Sequence, residues 1–205
     1  SFIYCLTETR LHTFIKTGSP IDWEFRLAEL GREDGEKMNR MFGEFNSLPT
    51  VGVSAAGGIA YAYKGPVIDL MGLNNVEMAH ANKNKVGVKN HTAFEEQVFY
   101  KQAPDIFHGY FKISKFIKDA VDTSLLENNM DMTKTFAGQI YKAIFYEDQF
   151  RQRYLPVIIH NAKAGLMLKT YCKKDFIDKI EAHGLKVTYL NRNGVPYEAT
   201  ASQTI

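Results

Sequence analysis

Cysteine is scarce in these 205 residues, with only Cys5 and Cys172 present. Neither has a Cys-x-x-Cys partner or a histidine at ligand spacing, so the usual signatures of a zinc site and of thiol redox chemistry are missing. No metal and no cofactor are expected, and a disulfide between the two is compatible with the count without being implied by it. Long apolar runs are lacking too: nothing approaches the roughly 20 residues needed to cross a bilayer. The opening Ser-Phe-Ile-Tyr-Cys-Leu has no basic-then-apolar signal plan. The chain as it stands is expected to be soluble, and its start without Met suggests a fragment excised from something longer. Charge of one sign is also absent, since 25 Lys and Arg face 23 Asp and Glu for a formal net charge of +2. Without a basic run to track phosphates, nucleic acid is not an expected partner. Three motifs are missing as well: G-x-G-x-x-G, G-x-x-x-x-G-K-[ST] and G-x-S-x-G, hence the common dinucleotide, phosphate and nucleophilic-serine sites.

What is present is an ordinary globular balance, 45% hydrophobic and 23% charged, with length for one sizeable domain spanning residues 1–205. Aromatics stand out, with 11 Tyr and 14 Phe. Flat rings with a polar edge suit sugars, but the ordinary use of a large ring is to fill the core.

The periodicity predicts an α/β fold: a mostly parallel sheet of about five to six strands flanked by helices. Ile21 to Phe45 repeats Trp23, Leu27, Leu30, Met38, Met41, Phe42 and Phe45 at helical intervals, with Asp22 placed as a cap. The segment reads as one long amphipathic helix, although Gly31 and Gly35 weaken its middle, which leaves a kink or two shorter helices open. Thr50 to Ser54 reads as a buried strand, followed by a tight small-residue turn at Gly57-Gly58 and a short helix. Pro66 to Leu70 reads as a second strand, then a short helix through His80. His91 to Gln102 opens with Thr92 and Glu95 at capping-box spacing, and Pro104 to Phe107 is a third strand. This alternation over residues 50–108 predicts parallel strands with helical crossovers. Residues 110–154 read as a helical insertion, with helices around Ile113 to Val121 and Thr133 to Tyr146. Strands at Leu155 to His160, Gly165 to Tyr171 and Leu185 to Leu190, a helix at Lys174 to Ala182, and a frayed tail from Asn191 complete the chain.

The stretches Val51 to Tyr63, Pro66 to Asn75, His91 and Ala103 to Phe107, in that order and spacing, resemble the soluble C-terminal region of polytopic bacterial glycosyltransferases of the GT-C type. Those include arabinofuranosyl and mannosyl transferases using polyprenyl-phosphate sugars. The match covers Trp23 to Phe107, and this chain departs from the pattern with Gly58 for Ala, Ala60 for Pro, Asn74 for Asp and Asn90 before His91. The resemblance implies a soluble domain at the periplasmic face of the inner membrane, joined to a preceding transmembrane region. It implies a domain that assists binding of a glycan or a polyprenyl-linked sugar and is not catalytic alone, because the family's catalytic carboxylate lies in a membrane-loop region.

From the residues themselves, Gly57 and Gly58 permit close approach of a ligand or of another backbone. Asp69, near a strand's C-terminal end, sits where open α/β sheets hold ligands, although without a second carboxylate beside it capping of the following turn or helix is the more ordinary use for it. Tyr61 and Tyr63 are the aromatics expected to stack on sugar, and Asn74 and His91 complete the candidate substrate contacts. No catalytic residue is assigned. The competing reading is a free-standing α/β enzyme binding a nucleotide or phosphorylated metabolite at Gly57-Gly58.

Overall fold

A computed structural model describes residues 20–81, 94–108, 113–115, 141, 144–191 and 196–197. The chain opens with α1 (Pro20–Met41), and β1 (Val51–Val53), α2 (Ala56–Ala62), β2 (Val67–Asp69), α3 (Val76–Ala81), α4 (Glu96–Gln102) and β3 (Ile106–His108) follow. After β4 (Ile113–Lys115) come a 3₁₀ turn (Ile144–Tyr146), α5 (Asp148–Arg153), β5 (Tyr154–Asn161), β6 (Leu166–Lys173), α6 (Lys174–Ala182), β7 (Lys186–Leu190) and β8 (Pro196–Tyr197).

The strands form one open sheet whose six-strand path β2-β1-β3-β6-β5-β7 is extended by β8, with β4 paired to β6. The α/β class is as expected, but the sheet is mixed. β1 lies parallel to both β2 and β3. Every pairing of β6, β5, β7 and β8 is antiparallel. Apolar runs identify strands without fixing their direction. Direction came correctly only where helices separate the strands, whereas β5 and β6 are joined by a tight turn in which Asn161 Oδ1 accepts the Ala164 N–H and Gly165 takes φ +65°.

Other expectations are corrected. α1 starts at Pro20, so Asp22 lies in its first turn rather than at the cap, where it still favours the positive helix end. α1 is one long helix, as the spacing predicts, continuous through Gly31 and Gly35, but it ends at Met41 rather than at Phe45. Gly57 and Gly58 lie inside α2, not in a turn. α4 begins at Glu96 behind an extended Glu95 that makes no side-chain cap, and Thr92 lies outside the described residues. Of the helical insertion, Ile113 to Lys115 is strand β4 and the end is the 3₁₀ turn and α5; residues 116–140 lie outside the description. In the tail, Pro196 and Tyr197 pair with β7.

Side chains leave a strand on alternating faces, and each face of this sheet carries its own core. One is aromatic: Phe99, Phe107, Tyr141, Phe150, Tyr154 and Tyr171 interlock beneath α4 and α5. Edge-to-face and offset ring pairs contribute about 0.5–1.5 kcal/mol each beyond burial. The aromatic wealth of the sequence is therefore spent mainly in the core. The other face packs Met38, Met41, Phe42, Ile59, Phe176, Ile177 and Ile180 of α1, α2 and α6 over Val51, Ile106, Val157 and Leu168.

α1 and α2 meet backbone to backbone. A Cβ on Gly58 would lie 1.9 Å from the Ala28 carbonyl oxygen, one on Gly31 3.0 Å from the Ile59 nitrogen, and one on Gly35 2.9 Å from the Tyr63 nitrogen. Residue numbers rise together along this contact, so the two helices run in the same direction. α2 starts at the C-terminal end of β1; the part of α1 before Ala28 therefore projects beyond the strand ends, by about 12 Å at 1.5 Å per residue. That projection explains why Phe25 is exposed while Met38, Met41 and Phe42 are fully buried.

Gly58→Ala should destabilise the protein by about 1–3 kcal/mol, because rigid backbone must move. Gly57→Ala, where an added Cβ meets nothing within 4 Å, should stabilise it by up to about 1 kcal/mol through helix propensity. Urea unfolding of the pair checks this; equal effects would contradict the close approach.

Candidate functional site

The chain moves from β1 through α2 to β2 in one direction, then through α3 and α4 back across β1 to β3 in the other. α2 packs on the aliphatic face, α3 and α4 on the aromatic one. β1 and β3 are therefore the neighbouring parallel strands at which the strand order reverses, the position where open α/β sheets commonly hold ligands.

Asp69, one strand away, closes β2. Its carboxylate is buried and already engaged: Oδ1 accepts the Met71 and Gly72 N–H groups at 2.9 and 3.1 Å, and Oδ2 accepts the Asn74 N–H at 2.8 Å. Gly72 takes the left-handed conformation, φ +78°, that this tight loop requires. Asp69 thus builds the loop, and the loop presents Leu73, Asn74 and Val76 to solvent. Gly57, in the first turn of α2, is exposed at the same rim, with open space where a side chain would stand.

The other candidates separate. Gly58 is occupied by the backbone of α1, so the close approach expected of it is helix packing, and the nucleotide reading loses its glycine turn. Tyr63 is buried and donates its hydroxyl to the Pro49 carbonyl at 2.7 Å, which puts it near the N-terminal strand ends. Burial, with Asp105 adding, pushes its phenol up. Tyr61, 84% exposed, lies in the last turn of α2, likewise away from Gly57. His91 lies outside the described residues, as does Cys5. Cys172 is buried in β6, and burial pushes its thiol up.

Two groups at the ends of β1 and β3 are ones that sequence reasoning passed over. Ser54, directly after β1, accepts the Tyr141 hydroxyl at 2.7 Å on the aromatic side. His108 ends β3 in register with Val53, and its side chain faces α1, where Nε2 lies 3.7 Å from Asp34 Oδ2. Serine and histidine therefore point to opposite faces and are not arranged as a nucleophile and its base. His108 is 7% exposed, and its Nδ1 is the buried side-chain polar atom without a hydrogen-bond partner among the described residues. Such a group costs about 1–3 kcal/mol. Burial raises the Asp34 carboxyl, but the neighbouring His108 ring and Lys37 at 3.3 Å more than offset it and hold Asp34 below its ordinary value. His108 directly follows the Ala103 to Phe107 stretch; applying the strand-end rule to β3 as well as β2 finds it.

Two more buried polar groups lie in the sheet. Lys169 of β6 sits on the aromatic face, where burial pushes its ammonium down. His160 shares 2.9 Å with Thr188 Oγ1, and burial, then Lys186, lowers it. At the opposite strand ends, a shallow groove of about 310 Å³ is lined by Phe45, Leu48, Asp105, Phe176, Lys179 and His183 among others. Asp105 there accepts the Thr50 N–H at 2.9 Å, as a turn residue should. Among the described residues no cluster of three or more His, Cys, Asp or Glu could hold a metal ion, and no helix is long and apolar enough to cross a membrane.

A family profile described as "Domain of unknown function (DUF8728)" matches residues 24–157, more than half of the chain, which therefore belongs to that family. Comparison with curated proteins and with solved structures gives no match.

Asp69→Ala strands three loop N–H groups, and should cost about 2–3 kcal/mol and speed hydrogen exchange at Met71, Gly72 and Asn74 well above that of the α6 amides. A depressed carboxyl stabilises the fold above its unfolded value of 3.8, and that contribution is lost as pH falls through the folded value. Asp34→Asn should therefore melt below the parent at pH 6, with the gap closing as the pH drops below 3.8. Thermal melts across that range test the sign, and a gap that widens in acid would contradict it.

Proposed function

Within a family whose description carries no function, we propose that this chain is a carbohydrate-handling domain of a membrane glycosyltransferase. It contributes acceptor-glycan or polyprenyl-linked donor contacts at the periplasmic face and does not catalyse transfer alone. One geometric observation supports the reading best. The two stretches that carry the glycosyltransferase resemblance, Val51 to Tyr63 and Pro66 to Asn75, are adjacent strand-and-helix units, and their exposed Gly57 and Asn74 share one rim. Asp69 serves that rim as the group fixing the loop's shape, holding the Asn74 backbone N–H and side-chain NH2, so that the exposed Asn74 offers its amide oxygen to a sugar hydroxyl. Exposed Leu73 and Val76 offer the apolar surface that the C–H face of a sugar ring requires. Tyr61 and Tyr63 have no part in this version of the site.

Amide chemical-shift mapping with mannose- and arabinose-containing oligosaccharides at millimolar concentration tests the reading. Saturable shifts at Gly57 and at residues 72–75, with none in α6, are expected. Silence throughout, or shifts confined to the groove around Phe45 and His183, would remove the proposal.

A further inference from the structure

At the strand ends opposite the rim of Gly57 and Asn74, we propose that the groove around Asp105 and Lys179 binds a small apolar zwitterion, a free α-amino acid with an apolar side chain. The fold sets its floor. Thr50, Pro66 and Asp105 stand directly before β1, β2 and β3, so the parallel register brings all three to one edge of the sheet, where they line the groove. The loop after α1 and helix α6 supply the walls. Phe45 stacks on His183 with ring centroids 4.0 Å apart and planes 11° from parallel, and Phe176 meets Phe45 at 5.8 Å between centroids. His183 Nδ1 donates to the Lys179 carbonyl at 2.8 Å, which fixes that ring against Phe45. At about 310 Å³, the groove falls at the lower end of the range for small-molecule sites and follows their make-up, apolar and aromatic walls with a few charged groups.

The charges select the ligand. Asp105 is half-buried, and its Oδ2 accepts the Thr50 N–H while Oδ1 has no hydrogen bond among the described residues. No cationic side chain lies within ion-pair distance of either oxygen among those residues. Its charge reaches the interior instead: burial, then Asp105, pushes up the phenols of Tyr63 and Tyr154 and the Cys172 thiol. An asparagine would accept the Thr50 N–H equally well, so that hydrogen bond does not account for the charge. Lys179, exposed on α6, meets no carboxylate among the described residues, Asp105 included. A carboxylate in an aromatic groove is a setting for an ammonium, through charge-assisted hydrogen bonding and the ring quadrupole. A simple cation would be repelled by Lys179, and a simple anion by Asp105. A zwitterion satisfies both, its ammonium on Asp105 and its carboxylate on Lys179, while Phe45, Leu48 and Phe176 cover an apolar side chain.

The test titrates the ¹⁵N-labelled chain at neutral pH with leucine and phenylalanine, and with two phenylalanine analogues that keep one charge each, phenethylamine and 3-phenylpropionate. The amino acids should give saturable amide shifts at Ser47, Leu48, Thr50 and Lys179 and none at Gly57 or Asn74. Each analogue should bind about tenfold more weakly than phenylalanine, having lost one charge-assisted contact. Asp105→Asn, which keeps an acceptor for the Thr50 N–H, should weaken phenylalanine about tenfold and leave phenylpropionate unchanged; Lys179→Met should weaken phenylalanine similarly and leave phenethylamine unchanged. Analogues that bind as tightly as phenylalanine would reduce the groove to an apolar surface and overturn the proposal, and they decide the matter even if Asp105→Asn fails to fold. Silence of the groove amides at millimolar amino acid, or shifts at Gly57 and Asn74 in their place, overturns it as well. The probes carry no sugar and the expected responses lie at the other strand ends, so none of these outcomes bears on the carbohydrate reading, which keeps its own test.

Discussion

The contact on which the structure turns is the one between the backbones of α1 and α2. Three glycines, Gly31, Gly35 and Gly58, remove the side chains that would keep the helices apart. Asn39 secures the lower end, its Nδ2 donating to the Ala62 carbonyl and its Oδ1 accepting the Lys64 N–H. Held this closely, α1 lies over the sheet in one register. That register places Asp34 against the end of β3, sends Met38, Met41 and Phe42 into the core, and lifts the first turns of α1 past the strand ends. An ordinary side chain at Gly58 would push the helices apart and move Asp34 off His108, so a packing constraint and the electrostatics of the rim are one arrangement.

The sheet's two faces divide the labour. The aromatic face is rigidified by ring against ring and encloses Tyr141, whose hydroxyl reaches Ser54 at the rim. The aliphatic face carries α1 and α2, which meet through glycine backbone, and α6. Burial of most rings in the first of these means that the aromatic count, suggestive of a sugar-binding surface when read as composition, mostly describes a core. Tyr61 and Phe25 are the large rings left exposed among the described residues.

Mixed topology confines the like-pointing strand ends to one part of the sheet. Antiparallel pairs from β6 onward bring strand ends of opposite polarity together, so the rim of like ends is confined to β2, β1 and β3. Within those three strands, β1 and β3 are the neighbours at which the strand order reverses, since the chain goes from β1 out to β2 and then back across to β3. Asp69 lies one strand outside that pair and is consumed by its own loop, whereas His108 ends β3 with one nitrogen unpaired.

Local pattern was enough to find β1, β2, the short helix after each, and α6, whose bounds Lys174–Ala182 match their apolar spacing. These elements are set by near neighbours: a β-branched run bounded by glycine or proline, or apolar residues three and four apart. The carboxylate of Asp69 was legible as a loop cap for the same reason, since its partners lie two to five residues on. What stayed hidden depends on residues far away in the chain. The role of Gly58 is decided by Ala28, that of Tyr63 by Pro49, and that of His108 by Asp34. Strand direction in the C-terminal half depends on a turn of four residues that periodicity does not see. Sequence by itself determined most of the strands and helices, β4 and β8 excepted, and which faces are apolar, because those preferences are local. Only the tertiary structure decided which glycine touches backbone, which carboxylate is spent and which histidine is left with an unpaired nitrogen, because each is a contact between segments that the chain brings together by folding.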